Sequence, residues 1–246
     1  MEIPIFVAIS GSDLYGIPEP SDVDIRGVHI LDRELFVKNC LYKSKEGEVI
    51  NKMFGKCDFV SYELGKFLRE LLKPNANFIE IALSDKVLYS SKYHKDVKKI
   101  AKNCICKKLY HHWKGFIKNH LQKLHKDAEN PKIWLYILRA YYQGILCLNA
   151  GNFKSNFNSF KCLDCYDDEI VNYLFECKAD KKPIDDEYKE KIKNHFCELD
   201  LLLDECYKNS NIRDEPSETI KIRAIELYKK IYFNRTFADY ILNLEL

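Results

Sequence analysis

Residues 10–27 read SGSDLYGIPEPSDVDIRG, and two features of this stretch could do chemistry. Asp22 and Asp24 are spaced so that, on a β-strand, both carboxylates point to one face. Like charges held that close repel, and the pair is tolerated when a cation lies between them. The natural occupant is Mg²⁺, which prefers oxygen ligands and completes its shell with phosphate oxygens, so the pair points to a nucleoside triphosphate. The second feature is Gly11-Ser12. A glycine lets phosphate approach the backbone, exposed N–H groups form an anion-binding nest, and the serine hydroxyl adds a donor. Arg26 shares the strand face of the two aspartates. It can pair with them when metal is absent or contact triphosphate when metal is bound, and the second role is preferred.

Strands must hold these residues. Glu2 to Ile9 form an apolar, β-branched run ended by Gly11 and Ser12, which predicts a central strand buried on both faces. Asp22 to Leu31 alternates and predicts a second strand, with Val23, Ile25 and Val28 serving the core. A charged, exposed stretch follows, then a short third strand over Lys56 to Ser61. From Ser61 to Lys73 a helical stripe of Leu64, Phe67, Leu68, Leu71 and Leu72 emerges, with Ser61 as N-cap and Pro74 as the stop. Further helices are expected at Ala76–Leu83, Tyr93–Lys102, Cys106–Lys126, Pro131–Asn149, Glu169–Cys177, Asp185–Lys208 and Pro216–Leu242. The fold class is therefore an α/β N-terminal domain, a small mixed sheet flanked by helices over residues 1–90, followed by an all-α domain over residues 91–246.

The formal net charge of only +2 hides a segregation along the chain. Ser91 to Lys126 holds 11 lysines against one acid, Asp96, a net +10, while Asp164 to Glu215 carries 16 acids against 8 bases, a net −8. The basic segment suits a polyanion, and the acidic one is expected to cover or oppose part of it. Composition is that of a globular protein, and the apolar run at the start is too short to span a bilayer and has no basic segment before it. A cytoplasmic protein with reduced thiols is expected, and no membrane partner. Of the ten cysteines, Cys104 with Cys106 and Cys162 with Cys165 form close pairs. Their spacing does not suit a four-ligand zinc site, so core filling is the preferred reading.

The order apolar strand, Gly11-Ser12, Tyr15-Gly16, then Ser21-Asp22-Val23-Asp24-Ile25-Arg26-Gly27 resembles the signature of the DNA polymerase β-type nucleotidyltransferase superfamily. More narrowly, it is similar to the predicted nucleotidyltransferase family in which GS, YG and SDxDxRG form one block. The stretch FLRELLKPNANFIEIAL, Phe67 to Leu83, is similar to that family's helix, Asn-Pro-containing turn and second helix. The resemblance implies transfer of a nucleotide from an NTP to an acceptor hydroxyl with two Mg²⁺ ions, for which Asp22 and Asp24 are ligands. It also implies a third carboxylate on a following strand. Asp58 is the best candidate, with Glu63 in reserve. Finally, it suggests a Lys, His and Arg on one helix face reaching the phosphates, matched here by Lys132 and Arg139 but with Tyr136 at the middle position.

For the acceptor, the basic segment with its interleaved Tyr110, Trp113 and Phe116 favours RNA or another nucleic acid. The alternatives are nucleotide transfer to a partner protein and a fold that binds triphosphate without transferring it.

Overall fold

The computed structural model describes residues 3–233. The first part of the chain runs β1 (Ile3–Ser10), α1 (Gly11–Tyr15), β2 (Val23–Ile30), α2 (Arg33–Tyr42), β3 (Val49–Phe54), β4 (Cys57–Glu63), α3 (Leu64–Leu72), α4 (Ala76–Leu83) and β5 (Val87–Ser90). The strands form one mixed sheet in the order β3-β4-β2-β1-β5, parallel only between β2 and β4. Helices follow: α5 (His94–Asn103), α6 (Leu109–Leu124), α7 (Pro131–Ala150), α8 (Asp168–Asp180), α9 (Asp186–Asn209) and α10 (Glu218–Phe233). The predicted α/β portion and helical portion are both present. Glu2 of the first expected strand and residues 234–242 of the last expected helix lie outside the described residues.

Four local expectations are corrected. Ser61 sits inside β4 with its hydroxyl 2.8 Å from His29 Nδ1, so it cannot cap α3; Glu63 does so, its carboxylate accepting from the Lys66 amide at 2.9 Å. β1 is not buried on both faces. Phe6, Val28 and Tyr62 share the face on which the aromatic rings of α3 and α4 pack, whereas Val7, Ile9, Ile25 and Phe59 on the other face stay half-buried. This also places Val28 on the face of Asp24 and Arg26 rather than opposite them. The charged stretch after β2 contains a helix and a strand: α2 buries none of its residues, so no apolar stripe announces it.

The centre of the helical part is α7, which is apolar around nearly its whole circumference, as expected of a helix enclosed by others. Asn130 caps its start, Pro131 fills the first turn where an amide would lack a partner, and Gly151 ends it in the left-handed conformation at φ 62°. One contiguous buried cluster runs from the sheet through α7 to α10.

A buried ionic network joins the sheet portion to α7. Glu80 of α4 accepts hydrogen bonds from Tyr15 at 2.7 Å, from Arg139 Nη1 at 2.9 Å and from Ser155 at 2.9 Å. The Arg139 guanidinium also lies 3.8 Å above the Tyr15 ring. The Arg139 and Glu80 side chains are only 4% and 5% exposed. Truncating one member strands the other charge in a low-dielectric interior. Arg139→Ala is therefore expected to destabilise the fold by about 3–5 kcal/mol in denaturant titrations, and the paired change Arg139→Met with Glu80→Gln by clearly less.

His94, at the start of α5, stacks on Phe6 with ring centroids 4.1 Å apart. Burial, reinforced by Lys98, pushes its pKa down from 6.5 to about 4. Between those values the unfolded chain binds a proton that the native chain does not, so stability rises with pH across this window and is lost on acidification. Replacing His94 by Phe is expected to flatten the stability–pH curve between about pH 6.5 and pH 4, measured by urea unfolding at each pH.

Candidate active site

Strand register brings the predicted carboxylates together. The parallel pairing of β2 with β4 sets Asp24 directly beside Asp58, and the antiparallel pairing with β1 sets Ser10 on Asp24's other side. Along β2 the chain passes from half-exposed Val23–Arg26 to fully buried Gly27–Ile30, so the acidic end of the strand opens to solvent. Gly11 follows Ser10 at φ 65°, and a Cβ there would collide with the Asp24 carboxylate. Glycine is thus required twice at position 11, for its backbone and for the room it leaves. The short α1 turn is then pinned. Gly16 ends it in the left-handed region, Asn156 donates to the Leu14 carbonyl at 3.1 Å, and Lys86 binds both the carbonyl and the carboxylate of Asp13.

Arg26 sits between two of the carboxylates. Its Nη2 lies 2.7 Å from Asp24 Oδ1 and 3.0 Å from Asp58 Oδ2, and its Nη1 donates to the Asp58 carbonyl at 2.8 Å. Asp22 accepts from the Ser21 hydroxyl at 2.9 Å and has Lys132 Nζ 4.0 Å away. Partial burial raises the Asp24 pKa, the neighbouring Asp22 and Asp58 add to the rise, and Arg26 and Lys132 oppose it. The three carboxylates thus repel one another, with Arg26 as counter-ion to Asp24 and Asp58 and Lys132 beside Asp22. Among the described residues, no three acidic, histidine or cysteine side chains close around a metal-sized gap. The donor set still fits Mg²⁺: it is wholly oxygen, and a guanidinium already occupies a cation's position between Asp24 and Asp58.

From α7, Lys132 and Tyr136 face this end of the sheet, with the Tyr136 hydroxyl 3.2 Å from Ser12 Oγ. Tyr136, the residue that breaks the expected Lys-His-Arg pattern, thus reaches the Gly11-Ser12 turn. Arg139 does not reach that surface. It lies one layer below, on Tyr15 and Glu80. Glu63 lies apart from Asp58, on the opposite face of β4, where it accepts from Tyr232 at 2.9 Å under α10. Of the aromatics expected to meet bases, Trp113 is buried and donates to Gln143, and Tyr110 stacks on Tyr207 at 4.2 Å. Phe116 remains half-buried, its ring centre 5.8 Å from the Arg139 guanidinium. All ten cysteines are free thiols, with Cys104 and Cys106 fully buried and Cys162 exposed.

Sequence reasoning missed Glu80, Ser155, Asn156 and Lys86. A signal existed for the first: Glu80 stands alone in NFIEIAL, as Arg139 does in WLYILRAYY, and isolated opposite charges in two apolar runs invite pairing.

Residues 3–227 match RlaP, the RNA repair pathway DNA polymerase beta family. An uncharacterized protein of Methanocaldococcus jannaschii is 80% identical over 235 residues, 95% of this chain and 96% of that protein. A nucleotidyltransferase-like protein from Exiguobacterium sibiricum 255-15, of known crystal structure, is 11% identical, with 82% of this chain and 69% of that one covered. Its TM-score of 0.32 is too low to carry an argument. The family match spans both the acidic end of the sheet and the helices that pack beside it, and on that extent this chain belongs to the RNA repair pathway DNA polymerase beta family.

Proposed function

We propose that this protein transfers a nucleoside monophosphate from an NTP to an acceptor hydroxyl, most favourably that of an RNA. The observation that carries the proposal is the register that sets Asp58 beside Asp24, two residues from Asp22 and against the Gly11-Ser12 turn. Residues 1–90 act as the catalytic unit, and residues 91–246 as the helical unit that contributes Lys132 and Tyr136. The family's description supports RNA as the acceptor.

In this reading Asp22 and Asp24 hold the metal ions, and Asp58 completes the set. Two Mg²⁺ ions, when bound, supply neutralisation of the charge that develops on the attacking and leaving oxygens. The backbone amides of the Gly11-Ser12 turn, the Ser12 hydroxyl and Lys132 bind the triphosphate, and Arg26 exchanges its two carboxylate partners for phosphate oxygens. The acceptor oxygen forms a bond to the α-phosphorus as the bond from that phosphorus to the α–β bridging oxygen breaks. Pyrophosphate leaves, and the hydroxyl proton passes to Asp58. Arg139 acts from below as a positioning residue, fixing the height of Tyr136 and Lys132 on α7.

Incubation with each labelled NTP, Mg²⁺ and separate cellular RNA and protein fractions tests the reaction. Label in the RNA fraction supports the reading. Label confined to protein assigns the acceptor to a partner protein, and no label in either sinks the transfer itself. Asp22→Asn and Asp24→Asn are expected to lower transfer by on the order of 10²–10³-fold or more with an unchanged melting temperature, since each removes an anionic ligand and no core group. Asp58→Ala is expected to depress kcat strongly while the Kd for NTP, from equilibrium binding, changes little. Equal losses in both would deny Asp58 its role at the acceptor oxygen.

A further inference from the structure

The basic segment is electrostatically divided. In its middle, Lys108 pairs with Glu215 at 2.5 Å, and Lys114 with Asp200 at 2.7 Å and Asp204 at 3.0 Å. The acidic α9 and the loop after it therefore neutralise that part. Lys118, Lys123 and Lys126 are exposed, and none forms an ion pair among the described residues. Lys118 and Lys123 lie in the later half of α6, Lys126 in the turn after it and Lys132 in the first turn of α7, the helix whose Lys132 and Tyr136 reach Asp22 and Ser12.

The same end carries a groove of about 390 Å³ lined by Phe116, Asn119, His120, Gln122, Lys123 and Lys126. The His120 ring stacks on Phe116, with centroids 4.0 Å apart and planes 20° from parallel. Its other neighbour is Tyr136 at 5.8 Å, whose hydroxyl meets Ser12. Because His120 Nδ1 lies 3.0 Å from the Phe116 carbonyl, Nδ1 carries the proton and Nε2 is left as an acceptor. Burial lowers the pKa of this ring, which keeps it neutral at physiological pH. A planar stack, polar groups at its rim and lysines without counter-ions match the chemistry of a base joined to a phosphate backbone.

We propose that this α6–α7 groove binds a nucleotide of a single-stranded RNA acceptor, its base against the His120–Phe116 stack and its phosphates near Lys118, Lys123 and Lys126. Tyr136 links this groove to the Gly11-Ser12 turn. The purpose of the groove rests on the transfer reading, but its occupancy does not, and it can be measured without Mg²⁺ or NTP.

The test is fluorescence anisotropy of a labelled short oligoadenylate over a KCl series, with ATP affinity measured separately. Lys123→Gln with Lys126→Gln is expected to weaken oligonucleotide binding about tenfold at low salt and to reduce the log–log salt slope by about 1.4, roughly 0.7 for each phosphate that a lysine no longer neutralises. His120→Ala is expected to weaken binding at every salt concentration without altering the slope. A control with the same charge change elsewhere, Lys95→Gln with Lys102→Gln, is expected to leave the slope unchanged, and ATP affinity is expected to hold in all three variants. The proposal is overturned if the native protein does not bind the oligonucleotide, if the control pair acts as strongly as the groove pair, or if ATP affinity falls while oligonucleotide binding stays intact. Loss of transfer in Asp22→Asn with oligonucleotide binding retained separates the two readings: the groove then stands whatever becomes of the chemistry.

Discussion

The contact between Arg139 and Glu80 is the constraint on which the site depends. The Glu80 carboxylate also receives Tyr15, the residue that ends the α1 turn, so one buried anion fixes the turn after β1, the α4 helix and the middle of α7 together. Residues seven and three positions before Arg139 then emerge one layer higher as Lys132 and Tyr136, facing Asp22 and Ser12. A buried pair adds little net stability once desolvation is counted, but it strongly opposes any arrangement that separates its members. Here that property sets a distance between two parts of the chain, which apolar packing alone specifies less sharply.

The acidic end of the sheet shows the complementary problem. Asp24 and Asp58, on paired strand positions, and Asp22, just before β2, cannot share a half-buried surface without positive charge, which Arg26 provides to the first two and Lys132 to the third. Its guanidinium makes four hydrogen bonds at once, two of them to main-chain carbonyls, so the strand ends are held in order before any ligand arrives. The absence of a side chain at Gly11 completes the arrangement by giving the Asp24 carboxylate a place to rest.

Much of this was legible from residue order. The alternation of Asp24 and Arg26 declares a shared strand face, Asp22 lying one residue before the strand begins, and the long helices announce themselves by period, with Asn130-Pro131 and Gly151 marking the ends of α7. What could not be read was what depends on register between distant strands. Nothing near Asp58 says that β4 runs parallel to β2 with Asp58 opposite Asp24, and a shift by one residue would have placed it on the other face. Ser61 looked like a cap because its neighbours begin a helical stripe, yet the strand continues two residues further because Glu63 can both end it and accept the first helical amide. The weak signal of α2 has the same origin: its apolar residues do not fall on one side, so periodicity carries no information there.

The pairing of Lys108 and Lys114 with acids of α9 and the loop beyond has a consequence for the timing of encounters. A uniformly cationic helix would capture a polyanion anywhere along its length, and many of those captures would be unproductive. At α6, Lys108 just before the helix and Lys114 within it are paired with acids, while Lys118 and Lys123 further along are bare. The uncompensated lysines are thus gathered in the later part of a helix about 24 Å long. If the acceptor is RNA, as proposed, a diffusing strand would be drawn toward the end beside Lys132, its orientation set before contact rather than by search after it. On that reading salt would slow arrivals more than it would hasten departures, because screening acts most on the long-range approach.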